Sequence, residues 1–221
     1  MEFFLNLLRS VAYGIIEGVT EWLPISSTGH MILAEQVLKF SFSAEFMEMF
    51  RVVIQLGAIL AVVVLYFKKL WPFCADNGRD SGFSRHFRWP VVRLWCKIIV
   101  ACVPAAVLGL LLDDWLDAHL YNSITVALML IIYGIAFILI ERRPRVPTTT
   151  KLSRITYKQA LIVGAWQVLA LIPGTSRSGS TIIGGLLCGM SRPAASQFTF
   201  FLAIPVMAGA SGLKLVKFLA K

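Results

Sequence analysis

The chain has 221 residues, of which 57% are apolar and only 15% charged, and its mean hydropathy is +0.75. This composition excludes an ordinary soluble domain and predicts a polytopic membrane protein. The formal net charge is +9, but the basic residues gather in two segments between apolar stretches, so we interpret the charge as a topology signal and expect no nucleic acid partner.

The first apolar region, 3–38, is interrupted by the polar cluster LPISSTGH from Leu23 to His30. A membrane-spanning helix needs about 20 consecutive apolar residues, and neither half of this region offers such a stretch. Irregular backbone at membrane depth is tolerated only where it is buried in protein or lines a polar cavity. We therefore predict a re-entrant helical hairpin over 3–38.

Two carboxylates precede the interruption. Glu17 and Glu21 lie four residues apart, so in a helix they face the same side, one turn apart. A charge at membrane depth costs about 2.5–3.5 kcal/mol on insertion scales, which favours a function for both residues. Two carboxylates with phosphate oxygens and water suit Mg²⁺ or Ca²⁺. The alternative is an interfacial pair solvated by lipid headgroups.

The interrupting cluster supplies hydroxyl groups from Ser26, Ser27 and Thr28 and an imidazole from His30. A lone histidine is usually structural. His30 lies in a loop of small polar residues and not on an apolar face, which favours a catalytic role.

Uninterrupted apolar stretches at 52–67, 96–112 and 122–140 predict membrane helices. A basic linker, 68–97, separates the first helix from the second. Another basic linker, 142–158, follows the third helix. A short link with Asp113, Asp114 and Asp117, which we expect to be a solvated loop, joins the second to the third. By the positive-inside rule the basic linkers are cytoplasmic and the acidic link is external.

A second broken region, 159–190, contains the cluster IPGTSRSGS from Ile172 to Ser180, whose start resembles that of the first cluster. Broken helices in matching halves of a membrane protein indicate a binding site near the midplane. We therefore predict an all-α polytopic membrane protein with an inverted-topology repeat of two re-entrant hairpins.

The expected organisation is a single membrane domain, 1–221. The first repeat, 1–112, would hold the hairpin 3–38 and the helices 52–67 and 96–112. The second repeat, 120–221, would hold the helix 122–140, the hairpin 159–190 and a helix at 195–216. Because only one helix follows the second hairpin, we expect the second repeat to lack carboxy-terminal helices.

The second cluster is rich in hydroxyls and glycines on both sides of Arg177: Gly174, Thr175, Ser176, Ser178, Gly179, Ser180 and Thr181. Backbone amides at a helix amino terminus bind anions, and a guanidinium matches phosphate oxygens. The cluster therefore predicts a phosphate site, although Arg177 could instead extend to lipid headgroups.

Gln55 and Gln167 are single polar residues in apolar segments near the two clusters. We expect each to make a helix-packing hydrogen bond and not to bind a ligand.

Three motifs carry a resemblance to a known family: EGVTEWLPISSTGH from Glu17 to His30, VVIQLGAILAVV around Gln55, and PGTSRSGST from Pro173 to Thr181. The chain resembles, along its whole length, the undecaprenyl-diphosphate phosphatase family, also called the bacitracin resistance family. The resemblance implies hydrolysis of undecaprenyl diphosphate to undecaprenyl phosphate and inorganic phosphate in the bacterial inner membrane. This reaction recycles the lipid carrier for peptidoglycan synthesis and confers bacitracin resistance.

The resemblance also implies inverted repeats of re-entrant helices, dependence on a divalent cation and an active site that opens to the external, periplasmic face. Members of the family usually continue for two more membrane helices. The expected partners are the lipid substrate and membrane lipid, and a homodimer is left open.

The family's motif residues fall on Glu17, Glu21, Ser26, Ser27, His30, Ser176 and Arg177. With the composition of the two clusters, the expected catalytic residues are Glu17, Glu21, Ser27, His30 and Arg177. The expected substrate-binding residues are Ser26, Thr28, Gly174, Ser176, Ser178 and Thr181. The expected metal ligands, for Mg²⁺ or Ca²⁺, are Glu17 and Glu21.

Ser27 is the preferred nucleophile, with His30 handling protons, while attack by water or by His30 stays open. We expect a carboxylate of Glu17 or Glu21, the imidazole of His30 and the guanidinium of Arg177 to line one polar pocket where the two loops meet.

Two other functions fit parts of the sequence pattern. Inverted repeats with broken helices also occur in secondary transporters, so a transporter or lipid flippase is the alternative. The phosphatidic-acid-phosphatase pattern SRxxxxxHxxxD would require a histidine where the chain has Ile183, which argues against that superfamily.

Overall fold

The computed structural model describes residues 2–75, 85–120, 122–142 and 146–220, without the side chains of Asp113, Asp114, Asp117 and Ser123. Arg79, Arg143 and Arg145, which contribute to the predicted topology, lie outside the described residues. The α-helices of the described part are α1 (Glu2–Thr20), α2 (Ser27–Leu38), α3 (Ala44–Val53), α4 (Gln55–Leu65), α5 (Phe67–Leu70), α6 (Trp89–Leu120), α7 (Ser123–Glu141), α8 (Tyr157–Gln167), α9 (Arg177–Leu187) and α10 (Arg192–Leu219). Short 3₁₀ helices cover Leu152–Arg154 and Val168–Leu171.

Four helical segments of the described chain are long and apolar enough to cross a membrane: Ala44–Leu65, Trp89–Leu112, Ile124–Glu141 and Arg192–Leu219. Their outer surfaces are apolar, and Leu110 and Leu111 are 70% and 73% exposed. Such surfaces are typical of contact with lipid. The prediction of an all-α polytopic membrane protein is confirmed.

The predicted break in the first apolar region is a turn between two helices. α1 ends at Thr20 and α2 begins at Ser27. The Ser26 side chain caps α2 by accepting a hydrogen bond from the backbone N–H of Gly29. The phenol of Tyr13 donates to Glu35 across the hairpin at 2.5 Å and helps to hold α1 against α2.

The second apolar region is broken in a similar way. α8 tightens into the 3₁₀ helix Val168–Leu171, and α9 begins at Arg177 with the Ser176 side chain as its cap. Gly174 in the intervening turn has φ +87°, and a Cβ atom there would lie 2.6 Å from Val126 Cα. Only glycine suits both the conformation and the close approach. The inverted, re-entrant orientation of the two hairpins stays a prediction.

The acidic link differs from the expectation. α6 continues beyond the apolar stretch as far as Leu120, so the backbone of Asp113, Asp114 and Asp117 is helical and not a loop. The loss of hydropathy marks the end of the lipid-compatible part of a helix, while the helix itself continues through polar residues.

The first membrane helix also extends beyond its apolar stretch. α3 begins at Ala44, where Ser43 caps it, and a break at Ile54 separates α3 from α4. Charged residues in α3 lowered the hydropathy of this segment without preventing a helix.

The main core lies where α6, α8 and α10 pack together. It includes Ile98 of α6, Val163 of α8, and Phe198, Phe201 and Leu202 of α10, all nearly inaccessible. α8 approaches α6 closely, because a Cβ at Gly164 would lie 2.3 Å from the carbonyl oxygen of Ala101. This packing fixes the second broken region against α6 and α10.

Candidate active site

A cavity of about 190 Å³ lies between the turn that precedes α2 and the turn that precedes α9. Its polar lining residues come from both turns and from two neighbouring helices: Glu21, Ser26, Ser27, Thr28, Gln55, Gln167, Thr175, Ser176, Arg177 and Ser178. Apolar residues of α6, α10 and the 3₁₀ helix Val168–Leu171 complete the wall, among them Leu171 and Met207.

An ion pair joins the two turns. Nη2 of Arg177 lies 2.6 Å from Oε1 of Glu21, and the two side chains are only 12% and 7% exposed. Nη1 of Arg177 donates to the carbonyl oxygen of Thr199 on α10 at 3.2 Å. The expected meeting of the two loops is therefore present, and it places a largely buried guanidinium at the cavity.

Glu21 also binds the hydroxyl group of Ser27. Ser27 Oγ donates to Glu21 Oε2 at 2.5 Å, and both residues are buried. A hydroxyl hydrogen-bonded to a carboxylate is the arrangement that activates a nucleophile through an adjacent base.

His30 does not line the cavity, in contrast to the expectation. It lies one turn inside α2, and its Nδ1 is 2.9 Å from the backbone carbonyl oxygen of Ser26. Because a carbonyl oxygen only accepts hydrogen bonds, Nδ1 is the protonated ring nitrogen in this contact. Glu21, and not His30, is the titratable group that contacts Ser27.

The expected substrate-binding residues divide into two groups. Ser26, Thr28, Ser176 and Ser178 line the cavity, whereas Gly174 and Thr181 do not. The Thr181 hydroxyl donates to the backbone of α9 and accepts from Thr199, so its hydrogen bonds lie within the protein. Gly174 shapes the turn.

Glu17 lies one turn before Glu21, is 1% exposed and does not line the cavity. Its Oε1 has no hydrogen-bond partner. The described residues contain no group of three or more His, Cys, Asp or Glu side chains that could hold a metal. The two carboxylates offer the oxygen donors that Mg²⁺ or Ca²⁺ prefers, and a cation held by Glu17 and Glu21 stays a prediction.

Buried polar atoms without a partner gather around this cavity. In the described part of the chain they are Glu17 Oε1, Gln167 Nε2 and Oε1, Thr175 Oγ1 and Arg177 Nε. Leaving such an atom unpaired costs about 1–3 kcal/mol. Gln167, Thr175 and Arg177 line the cavity, and Glu17 lies one turn from Glu21. The cavity therefore fits a polar ligand.

Gln167 was expected to make a packing hydrogen bond, and that expectation is wrong because neither of its amide atoms has a partner. Thr175 was part of the second cluster but was not expected to bind substrate. One feature of the sequence could have indicated a place for Gln167 at the site: it lies in AWQVLAL, directly before the second break.

The sequence model of the family described as bacitracin resistance protein BacA matches residues 10–221. The chain belongs to the BacA bacitracin resistance protein family. It is 60% identical over 220 residues to the undecaprenyl-diphosphatase of Enterococcus faecalis (strain ATCC 700802 / V583), covering 99% of this chain and 78% of that protein. It is 58% identical over 219 residues to the undecaprenyl-diphosphatase of Desulfitobacterium hafniense (strain DSM 10664 / DCB-2), covering 96% and 76%.

Proposed function

We propose that this protein hydrolyses undecaprenyl diphosphate to undecaprenyl phosphate and inorganic phosphate. Family membership and the relatives named undecaprenyl-diphosphatase support the reaction. The structural observation that supports it best is the contact of Glu21 with both Arg177 and Ser27 beside a polar cavity. Hydrolysis would recycle the lipid carrier of peptidoglycan synthesis and so confer bacitracin resistance.

Arg177 is the proposed phosphate-binding residue. Its guanidinium carries five N–H donors, of which Nη2 contacts Glu21 and Nη1 contacts Thr199, while Nε has no partner. Arg177 is also the first residue of α9, where the helix dipole favours an anion. A diphosphate in the cavity would satisfy the remaining donors.

Ser27 is the proposed nucleophile and Glu21 its base. Ser27 Oγ attacks the terminal phosphorus while its proton passes to Glu21 Oε2, and the bond to the bridging oxygen breaks to release undecaprenyl phosphate. Water then hydrolyses the phosphoserine, which releases inorganic phosphate and restores the hydroxyl. The sequence left open direct attack by water or by His30; for attack by water, the contact with Ser27 makes Glu21 the proposed base.

Glu17 and Glu21 are the proposed ligands of Mg²⁺ or Ca²⁺. A divalent cation held by these two carboxylates would neutralise charge on the diphosphate oxygens. The unpaired Oε1 of Glu17 supports this assignment.

The protein is a multi-pass membrane protein, and we place it in the bacterial inner membrane with the cavity open to the periplasmic side. The basic linkers support this orientation through the positive-inside rule. In a variant without native cysteines, Ser153→Cys in the second linker should not react with a membrane-impermeant thiol reagent in intact cells. Labelling of this cysteine would contradict the proposed orientation. Bound membrane lipid and a homodimer remain proposals.

The deciding experiment uses purified protein in detergent with undecaprenyl diphosphate, where no compartments exist for transport. We expect release of one inorganic phosphate per undecaprenyl phosphate formed. A transporter or flippase would bind the lipid and release none. The names of the relatives, which describe hydrolysis, favour the first outcome.

A further inference from the structure

Gln167 is the last residue of α8, is 2% exposed and lines the cavity. Both Nε2 and Oε1 of its amide lack a hydrogen-bond partner. A buried amide is normally paired, because an unpaired one loses its hydrogen bonds to water without replacement. At the cavity, a ligand or ordered water would complete its hydrogen bonds.

Gln159, two turns earlier on α8, shows what a structural glutamine does in this protein. Its Oε1 accepts from the backbone N–H of Thr156, and its Nε2 donates to Thr149 Oγ1 at 3.1 Å and to the carbonyl oxygen of Cys188 at 3.0 Å. The same residue type on the same helix is thus fully paired at one end and unpaired at the cavity.

A diphosphate has more acceptor oxygens than Arg177 can satisfy while it also binds Glu21. The Gln167 amide offers two N–H donors without adding a charge to a buried site. Thr175 Oγ1, also unpartnered and lining the same cavity, offers a hydroxyl donor.

We propose that Gln167, assisted by Thr175, is a substrate-binding residue whose amide donates hydrogen bonds to phosphate oxygens of the lipid diphosphate. The proposal rests on the proposed function. Gln167 contributes to binding and positioning of the diphosphate, and Ser27 and Glu21 carry out the bond-breaking step.

The test compares Gln167→Met with Gln159→Met, because methionine keeps an unbranched chain of similar length without amide groups. Gln167→Met should melt at the same or a higher temperature than the wild type, since it removes an unpaired polar group. Its kcat/KM for undecaprenyl diphosphate should fall about five- to hundredfold, mainly through a higher KM. Thr175→Val should show a smaller fall with unchanged melting.

Gln159→Met should behave in the opposite way. It leaves the partners of Gln159 unpaired, so the melting temperature should fall, while KM measured on the folded fraction stays as in the wild type. This control separates loss of a ligand contact from loss of a packing contact.

Two results would overturn the assignment of Gln167. Unchanged kcat/KM in Gln167→Met would remove it from the site, and a lowered melting temperature would make it a structural residue. If the wild type itself releases no phosphate, the proposed function fails instead. Thermal stabilisation by inorganic diphosphate then tests Gln167 independently: wild type should respond more strongly than Gln167→Met, and an equal response would refute the proposal.

Discussion

Ser27 and Arg177 occupy equivalent positions in two different helices, and each contacts a different oxygen of the Glu21 carboxylate. Each is the first residue of its helix, and the preceding serine caps that helix by accepting from a glycine N–H. Ser27 contacts Oε2 of Glu21, and Arg177 contacts Oε1. The shared capping arrangement of the two helices thus brings a hydroxyl and a guanidinium to the same carboxylate.

Arg177→Lys should reduce phosphate release at least about a hundredfold while the protein stays folded. Lysine can keep an ion pair with Glu21 but loses the planar fork that binds phosphate oxygens. Arg192→Lys is the matched control, because Arg192 pairs with Glu141 at the protein surface, away from the cavity. Near-normal turnover of Arg177→Lys would exclude Arg177 from substrate binding.

Ser27→Ala should abolish phosphate release if Ser27 is the nucleophile. Ser43→Ala provides a serine control: its side chain caps α3, so the change should cost about 1 kcal/mol of stability and leave turnover per folded molecule intact. Substantial activity in Ser27→Ala would favour direct attack by water activated by Glu21. Quantified phosphate release and thermal melting distinguish these outcomes.

Chelation of divalent cations should silence the wild type, and added Mg²⁺ or Ca²⁺ should restore it. Glu17→Gln should raise the metal concentration needed for half-maximal activity, because it removes one charged ligand. Glu141→Gln should keep the metal response of the wild type, since Glu141 pairs with Arg192 outside the cavity. Full activity in excess chelator would exclude the metal assignment.

Gly174→Ala should destabilise the protein and reduce activity together. Alanine would be strained at the φ of +87° found here, and its methyl group would lie 2.6 Å from Val126 Cα. We expect the free energy of unfolding to fall by about 1–3 kcal/mol or more. Gly134→Ala in α7 is the control, because nothing lies within 4 Å of a Cβ there. Equal melting temperatures for the two variants would contradict the described turn.

The sequence predicted the helix breaks because polar clusters interrupt apolar segments. It also predicted the contact between the loops, since neither loop alone holds the carboxylates and the arginine. The sequence could not predict the hydrogen bond between the His30 ring and the Ser26 carbonyl oxygen, because the geometry of the turn determines that contact. Likewise, the unpaired state of Gln167 depends on how α8 packs against α6 and α9.

The most direct measurement is an experimental structure with a non-hydrolysable prenyl diphosphonate bound. Its phosphonate oxygens should lie within hydrogen-bond distance of Arg177 and Gln167, with Ser27 Oγ facing the terminal phosphorus. A diphosphonate bound away from the junction of the two loops, with the cavity between them empty, would contradict the account.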